Sequence, residues 1–581
     1  MTHRVRGSTM HKELFGVFDD ASEFRRFRSP ESFDRVVEGE SVTVGIRDVG
    51  LQIPNRSSTV ERRDGVAVVW GEVYLPADAA PGAAEWLLER YRAVGTDAFG
   101  ELNGSFLAVV DDGDDPVVAT DVVRSWECFY TDDPGVRVFG TDPAAVARTI
   151  ETPDIRPDPL LEGVHLGVVT GDRTIIDQLE RIPFDGVLGP TETRLLDRFV
   201  YDPREFDYAD ELARRLRRAL QRRSANPGRK GVLLSGGYDS RTIVASLDGI
   251  DECYTVGTPD AGEVSVARRV STQYGVPHRT LVADDRYLST ERDVIQYGQG
   301  LCESIHVHHA GYLDEMAVDT MYHGLLFDTI LRGYFLPRDG VEVLGHTLPL
   351  QGLDPEPDVT DAVAHSFGFL PASESIFPDC EHVQASTSRE FIRTVIESGL
   401  EEWSDRYDSL HNGIDLFGIQ NQPTIPFRTH LADHYLESFV AVDAELVDWH
   451  LKTPPEHRNT KTFLRAIRKL DPEILRHRPP DRPTDSTRLN EISGFLRRSL
   501  PGLAPFDGPW PDRERLYDQA NLDQRLFEVY PDIHGLPARL KLRINDITTW
   551  LELATGTDVT PADVLCPPFG AARQRASRAA D

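Results

Sequence analysis

The chain has 581 residues, too many for one hydrophobic core, so two or three domains are expected. It carries 95 acidic against 63 basic residues, a formal net charge of −32, and six of the basic residues are lysines. A surface this acidic repels nucleic acid and anionic lipid at ordinary salt, and we read it as solvation for a salt-rich, halophile-like cytoplasm. No run of 18 apolar residues is present, and Met1–Arg6 lacks the apolar stretch of a signal peptide. Five scattered cysteines (128, 253, 302, 380, 566) form no CxxC pair. A reducing cytoplasm, no membrane contact and no nucleic-acid partner are therefore expected.

Residues 10–150 hold short apolar runs with strand alternation, among them 69–74, 102–110, 117–121 and 127–130, and one helix from about Ala83 to Val94. That pattern suggests a layered, β-rich sandwich. Residues 151–208 mix Pro and Asp with short strands and read as a linker or domain edge. A basic amphipathic helix follows from Tyr208 to about Arg223, its arginines on a solvated face.

The stretch Gly231-Val232-Leu233-Leu234 then ends abruptly at Ser235-Gly236-Gly237-Tyr238-Asp239-Ser240, after which Arg241–Leu247 resumes with helical spacing. Strand, glycine loop and helix together aim backbone N–H groups and a helix N-terminus at one point, which attracts phosphate. No Gly-Lys-Ser/Thr is present, so no lysine serves the β/γ-phosphates. The loop instead carries Asp239, which beside phosphate suits a ligand for Mg²⁺. An ordinary βα turn with a capping Asp/Ser pair explains Ser-Gly-Gly alone but not the whole string.

Cys253–Gly257 is a second short strand, Glu263 opens a helix, and Val276-Pro277-His278 starts a third strand with His278 in a structural role. His306, His308 and His309 look like a metal cluster, but no acid at helical spacing supplies a clear third ligand. Residues 338–400 read as an insertion without a usable motif, helical patterns return over 414–449, and 484–581 carries helical segments and a polar tail.

Leu233-Leu234-Ser235-Gly236-Gly237-Tyr238-Asp239-Ser240 resembles the pyrophosphatase (PP) loop of the asparagine synthetases and their relatives, including the β-lactam synthetases. Those enzymes activate a carboxylate as an acyl-adenylate and pass it to an amine. The resemblance implies an α/β protein in four parts. A degenerate glutamine amidotransferase-like sandwich of the Ntn type covers 10–150, and a linker covers 151–208. A parallel-sheet, adenine-nucleotide α-hydrolase-like PP-loop domain covers 209–483, and a helical extension covers 484–581. ATP would bind by adenine at Leu234 and Val256, with its phosphates on Ser235, Gly236, Gly237 and Ser240. His323-Gly324-Leu325-Leu326-Phe327-Asp328-Thr329, continuing to Gly333-Tyr334, resembles the family's Ser-Gly-Glu-Gly-Ser-Asp-Glu-Leu-x-x-Gly-Tyr loop. Gly324 would then border the nucleotide, and Asp328 would join Asp239 on Mg²⁺. Lys461, in Lys461-Thr462-Phe463-Leu464-Arg465, would neutralise the α-phosphate.

The departures from the family pattern matter as much. Lys12 stands where the nucleophilic cysteine of class II amidotransferases stands, Trp70 replaces the asparagine of the glutamine pocket, and Ala83 replaces its aspartate. Glutaminase activity is therefore expected to be absent and the N-terminal domain a scaffold. Leu325 and Thr329 occupy two glutamate positions, and Pro480 replaces the lysine of a closing Arg-Pro-Lys. An apolar Leu325 cannot orient or deprotonate an amine, which leaves the carboxylate and amine open between aspartate with ammonia and another pair. The expected partners are these small molecules, with a homodimer possible. The alternative is a non-catalytic nucleotide-binding paralogue with a scaffold or regulatory role.

Overall fold

Twelve strands build the N-terminal part of the protein, seen in a computed structural model. The described residues are 10–565 except 77–81, 114, 344–345, 379–382, 485, 501, 504–505, 507 and 509, so Cys380 and Cys566 lie outside them. In chain order the strands are β1 (Glu13–Val17), β2 (Arg35–Glu38), β3 (Thr43–Arg47), β4 (Ser58–Arg62), β5 (Gly65–Tyr74) and β6 (Asn103–Asp111). Then come β7 (Val117–Thr120), β8 (Phe129–Thr131), β9 (Val138–Gly140), β10 (Glu180–Arg181), β11 (Gly186–Leu188) and β12 (Thr193–Leu195). They pair antiparallel into two six-stranded sheets, ordered β10-β8-β9-β1-β3-β2 and β12-β11-β7-β6-β5-β4.

The run Val66-Ala67-Val68-Val69-Trp70 explains the layering. Val66, Val68 and Trp70 face the other sheet, where they meet Leu14, Val44 and Phe139. Ala67 and Val69 face outward and are covered by Leu87 and Leu88 of the helix Ala83–Val94. A strand buried on both faces reads as a continuous apolar run rather than an alternation. The other sheet is covered in the same way by the helices Pro143–Ala147 and Ala538–Thr555, through Val146, Leu540 and Trp550 against Phe15 and Phe129. The result is a four-layer αββα sandwich.

The short strands expected within 151–208 are β10, β11 and β12, which complete both sheets, so this stretch is a domain edge and not a linker throughout. The helical extension expected over 484–581 is built into the fold, because its helix Ala538–Thr555 supplies part of the sandwich core.

The second part is built on β13 (Lys230–Leu233), β14 (Glu252–Gly257), β15 (His278–Val282), β16 (Thr320–His323) and β19 (Leu436–Ser438). All neighbours are parallel, in the order β15-β14-β13-β16-β19. The strand order runs one way from β13 to β15 and the other way from β16 to β19. Between β13 and β16 the strand order reverses, the place in such sheets where a ligand crevice forms at the strands' C-terminal ends. The insertion opens with an antiparallel hairpin, β17 (Arg338–Val343) and β18 (His346–Leu353), followed by the helices Val359–Phe367 and Ser388–Glu402. Among the described residues no helix is long and apolar enough to cross a membrane.

Charged side chains join the two parts. Arg223, fully buried at the end of the helix Tyr208–Arg223, pairs with Asp443 at 2.7 Å and faces Glu72 of β5 at 3.4 Å. Glu72 in turn accepts from the Ser438 hydroxyl (2.8 Å) and the Phe439 N–H (3.2 Å) at the end of β19. Asp443 also caps the helix Ala444–Lys452. The isosteric substitution Asp443→Asn removes the nearer of the two carboxylates that neutralise Arg223 and leaves it Glu72 alone. Breaking a buried pair in this way costs about 3–5 kcal/mol. Calorimetry should therefore show a clearly lowered denaturation midpoint, and an unchanged midpoint would refute the role given to this joint.

Candidate active site

The loop after β13 turns through Ser235–Tyr238 into the helix Asp239–Ser246, whose N-cap residue, Tyr238, makes no side-chain capping bond. Three loop N–H groups are held by side-chain oxygens: Ser235 by Ser240 Oγ (2.9 Å), Gly236 by Glu263 Oε1 (2.6 Å) and Gly237 by Ser235 Oγ (3.2 Å). A loop that gathers oxygens onto consecutive N–H groups at a helix N-terminus is built to hold an anion. The second loop follows β16. A Cβ on Gly324 would lie 2.7 Å from the Ser240 nitrogen and 2.8 Å from the Asp239 Cβ, so only glycine lets the loops meet. Leu326 adopts φ +63° where the resembling motif has its second glycine, and a π-helical turn, Phe327–Leu331, then carries Asp328. Such backbone features cluster at functional sites.

Both loops line a cavity of about 620 Å³. Leu234 and Val256 border it from the ends of β13 and β14, and Ser235, Gly237, Asp239, Ser240, Gly324 and Asp328 line it as well. Gly236 sits just behind, its N–H turned to Glu263. The backbone of Leu234 is engaged on both sides, its N–H donating to Tyr254 O (2.8 Å) and its carbonyl accepting from Thr255 Oγ1 (2.5 Å).

Lys461 is the exception. It lies exposed in the first turn of the helix Thr460–Leu470 and is not among the residues lining the cavity. That helix buries Thr462, Phe463, Ala466 and Ile467, and this face turns Lys461 outward. The cavity's cations are arginines instead. Arg482, two residues beyond Pro480, lines it over the Tyr238 ring at 5.5 Å.

Arg332 went unnoticed in the sequence, because its partner lies 93 residues away. Its guanidinium donates to Asp239 Oδ2 at 2.9 Å. Burial pushes the Asp239 carboxyl up to about 6, against the pull of Arg332, and the nearby Asp328 charge adds to the rise. The other Asp239 oxygen, Oδ1, is buried without a partner, while Asp328 Oδ1 accepts the Thr329 N–H at 2.9 Å. An unsatisfied carboxylate oxygen close to a second acid suits a hard divalent cation such as Mg²⁺, with Arg332 sharing one of the oxygens.

The histidines do not form a metal cluster of their own. His309 shares a 3.0 Å hydrogen bond with His430, His308 packs edge-on to Trp510, and His306 stands 3.7 Å from Glu303. Burial keeps all three neutral, drawing His306 down to about 4 and His308 to about 3, with His309 well below its ordinary value. His278 bonds to Thr255 Oγ1 at 2.9 Å, in keeping with a structural role.

In the sandwich, Lys12 forms a buried ion pair with Asp48, and its ammonium sits 4.7 Å from the Trp70 ring centre. Arg56, Arg428, Glu72 and Glu437 close around it, leaving about 10 Å³, room for one water at most. Ala83 is buried in the apolar core beneath its helix.

Residues 211–322 match the asparagine synthase family model. No curated protein matches the chain. Among solved structures, glutamine phosphoribosylpyrophosphate amidotransferase from B. subtilis, complexed with ADP and GMP, is 12% identical with a TM-score of 0.18. The match covers 46% of this chain and 59% of that one. A structure of the allosteric regulatory enzyme of purine biosynthesis is 11% identical with a TM-score of 0.21, over 62% of this chain and 83% of that one.

The contact at Gly324 can be tested without a ligand. Gly324→Ala places a methyl against backbone that cannot retreat, and overpacking of this kind costs about 1–3 kcal/mol. A chemical denaturation midpoint equal to that of the unsubstituted protein would show that the two loops do not meet as described.

Proposed function

We propose that this chain, whose residues 211–322 form an asparagine synthase domain, is an ATP-dependent ligase. It would adenylate a carboxylate and join the acyl group to ammonia or another amine. The observation that carries the reading is the uncapped helix N-terminus and glycine loop beside Asp239 and Asp328, all at the turning point of the parallel sheet. In this reading Leu234 and Val256 flank the adenine, and Ser235, Gly236, Gly237 and Ser240 exchange their internal oxygen partners for phosphate oxygens. Asp239 Oδ1 and Asp328 hold Mg²⁺, which when bound neutralises the departing pyrophosphate. Arg332 and Arg482 supply the cationic charge that the sequence assigned to Lys461. A carboxylate oxygen attacks the α-phosphorus and pyrophosphate leaves; the amine nitrogen then attacks the acyl carbon and AMP leaves.

The filled space around Lys12 supports an amine drawn from solution rather than from glutamine. Half-buried and apolar, Leu325 supports a carboxylate–amine pair other than aspartate and ammonia. The acidic surface supports a salt-rich cytoplasm as the working milieu.

One observation favours a second reading. The Arg332 guanidinium occupies an oxygen of Asp239 that a metal would use, as in a non-catalytic paralogue that binds nucleotide as a scaffold or regulator.

ATP–pyrophosphate exchange in molar KCl with Mg²⁺, over a panel of carboxylic acids, separates the two. The ligase should exchange label and yield AMP, not ADP. Asp239→Asn and Asp328→Asn should each lower exchange by about 10²–10³. The double variant should be little worse than either, since residues acting as a unit are not additive. Nucleotide binding without exchange for any acid would favour the second reading, and release of glutamate from glutamine would contradict the role given to Lys12.

The reaction should also depend on pH. Mg²⁺ needs Asp239 ionised, and burial pushes its carboxyl up to about 6 in the metal-free protein, so at limiting Mg²⁺ exchange should fall as the pH drops through that value. A flat profile between pH 5 and 7.5 would rule this out.

A further inference from the structure

We propose that His11, Asp433 and His434 bind one divalent cation of the zinc class, clamping the start of the sandwich to the helix Ile425–His434. One ligand atom from each of the three lies within 4.8 Å of the others, and no other group among the described residues meets that condition. His11 lies two residues before β1, while Asp433 and His434 end a helix more than 400 residues later. The site therefore spans both parts of the protein.

The surroundings are those of a supported ligand set. Asp433 is 1% exposed; its Oδ1 accepts the Lys12 N–H at 2.6 Å and its Oδ2 accepts the Tyr297 hydroxyl at 2.7 Å. Each oxygen keeps a further lone pair, and hydrogen bonds of this kind orient ligating carboxylates. His434 is half-buried, with its Nε2 3.9 Å from Asp433 Oδ2. The His11 and His434 rings meet edge-on at 5.6 Å.

Two imidazoles and a carboxylate select a borderline cation over Mg²⁺ or Ca²⁺, which favour all-oxygen sets. Donors on one tetrahedral zinc lie about 3.3 Å apart, given bonds of about 2.0–2.2 Å. The set must therefore tighten by roughly an ångström, and exposed His11 is free to make that move. Three protein ligands leave a fourth position for water on the solvent side. The cavity lies beyond His430, whose ring lies tilted with its centre 4.7 Å from that of His434 and bonds to His309. The site is thus separate from the nucleotide loops and does not rest on the proposed ligase activity.

The full chain, stripped with a chelator and titrated with zinc chloride, tests the site. One zinc per chain should bind by calorimetry and raise the denaturation midpoint, and cobalt should give the visible bands of a tetrahedral site. His11→Ala, which alters an exposed residue, and His434→Gln should each abolish the midpoint shift. Tyr297→Phe should weaken zinc by about 10–100-fold through loss of the bond to Asp433. Zinc bound equally by the wild-type chain and by His11→Ala and His434→Gln, or no zinc-dependent shift in the wild-type chain, would overturn the proposal.

Discussion

The close approach of Gly324 to the backbone of Asp239 and Ser240 is the constraint on which the cavity depends. β13 and β16 are neighbours in the sheet, so the loops that follow them leave its edge side by side. With no side chain at 324 they touch, and the acids they carry share one low-dielectric space. The consequence is electrostatic. Burial disfavours the Asp239 charge and the neighbouring Asp328 carboxylate adds to this, as the raised Asp239 carboxyl shows. Arg332 offsets part of the cost, and the remaining unpartnered oxygen is the local imbalance a bound cation would relieve. Leu326 in the left-handed region adds backbone strain at the same turn.

How much of this could be read from the sequence followed from the range of each interaction. The strand, glycine loop and helix around Ser235–Ser240 are set by neighbours in sequence, and the turn residues announce them. The sandwich was legible from long strands such as β5 and β6, while the parallel sheet was expected only from the resemblance of the loop to the PP-loop family. Features that depend on distant partners were not legible. Nothing near Arg332 marks it as the partner of Asp239, and nothing near His11 points to His434. Lys461 failed for a different reason: a motif fixes the residue type, while the helix's buried face fixes its direction, and here that face is formed by Phe463, Ala466 and Ile467. The short strands within 180–195 were legible, but not their place in the two sheets, because pairing with β7 and β8 depends on residues some 50 to 70 positions away.

The Lys12 region shows how a polar pocket closes without leaving a void. The ammonium is taken up by Asp48 and by the faces of Trp70 and Trp126, at 4.7 and 5.6 Å from their ring centres. Arg428 completes the cluster, lying 3.9 Å from the Trp126 ring centre and pairing with Glu437 at 2.8 Å. Arginine dominates because its planar fork can serve a carboxylate and an indole face at once. Burial lowers the Lys12 ammonium from its ordinary value, and the Asp48 carboxylate opposes that fall.

The cross-bridging around Glu72 and Arg223 bears on how the molecule comes apart. The sandwich has an apolar core between its two sheets and the parallel sheet has another, into which Phe184 and Phe199 also pack. In many chains separate cores let two domains melt separately. Here Glu72 of one sheet satisfies the hydroxyl and N–H at the end of a strand in the other, and Arg223 is shared between Glu72 and Asp443. Unfolding either half strands buried charges in the half that remains. The two cores are thus tied into a single cooperative unit, and a fragment cut between them would carry ionic groups on a surface made for their partners.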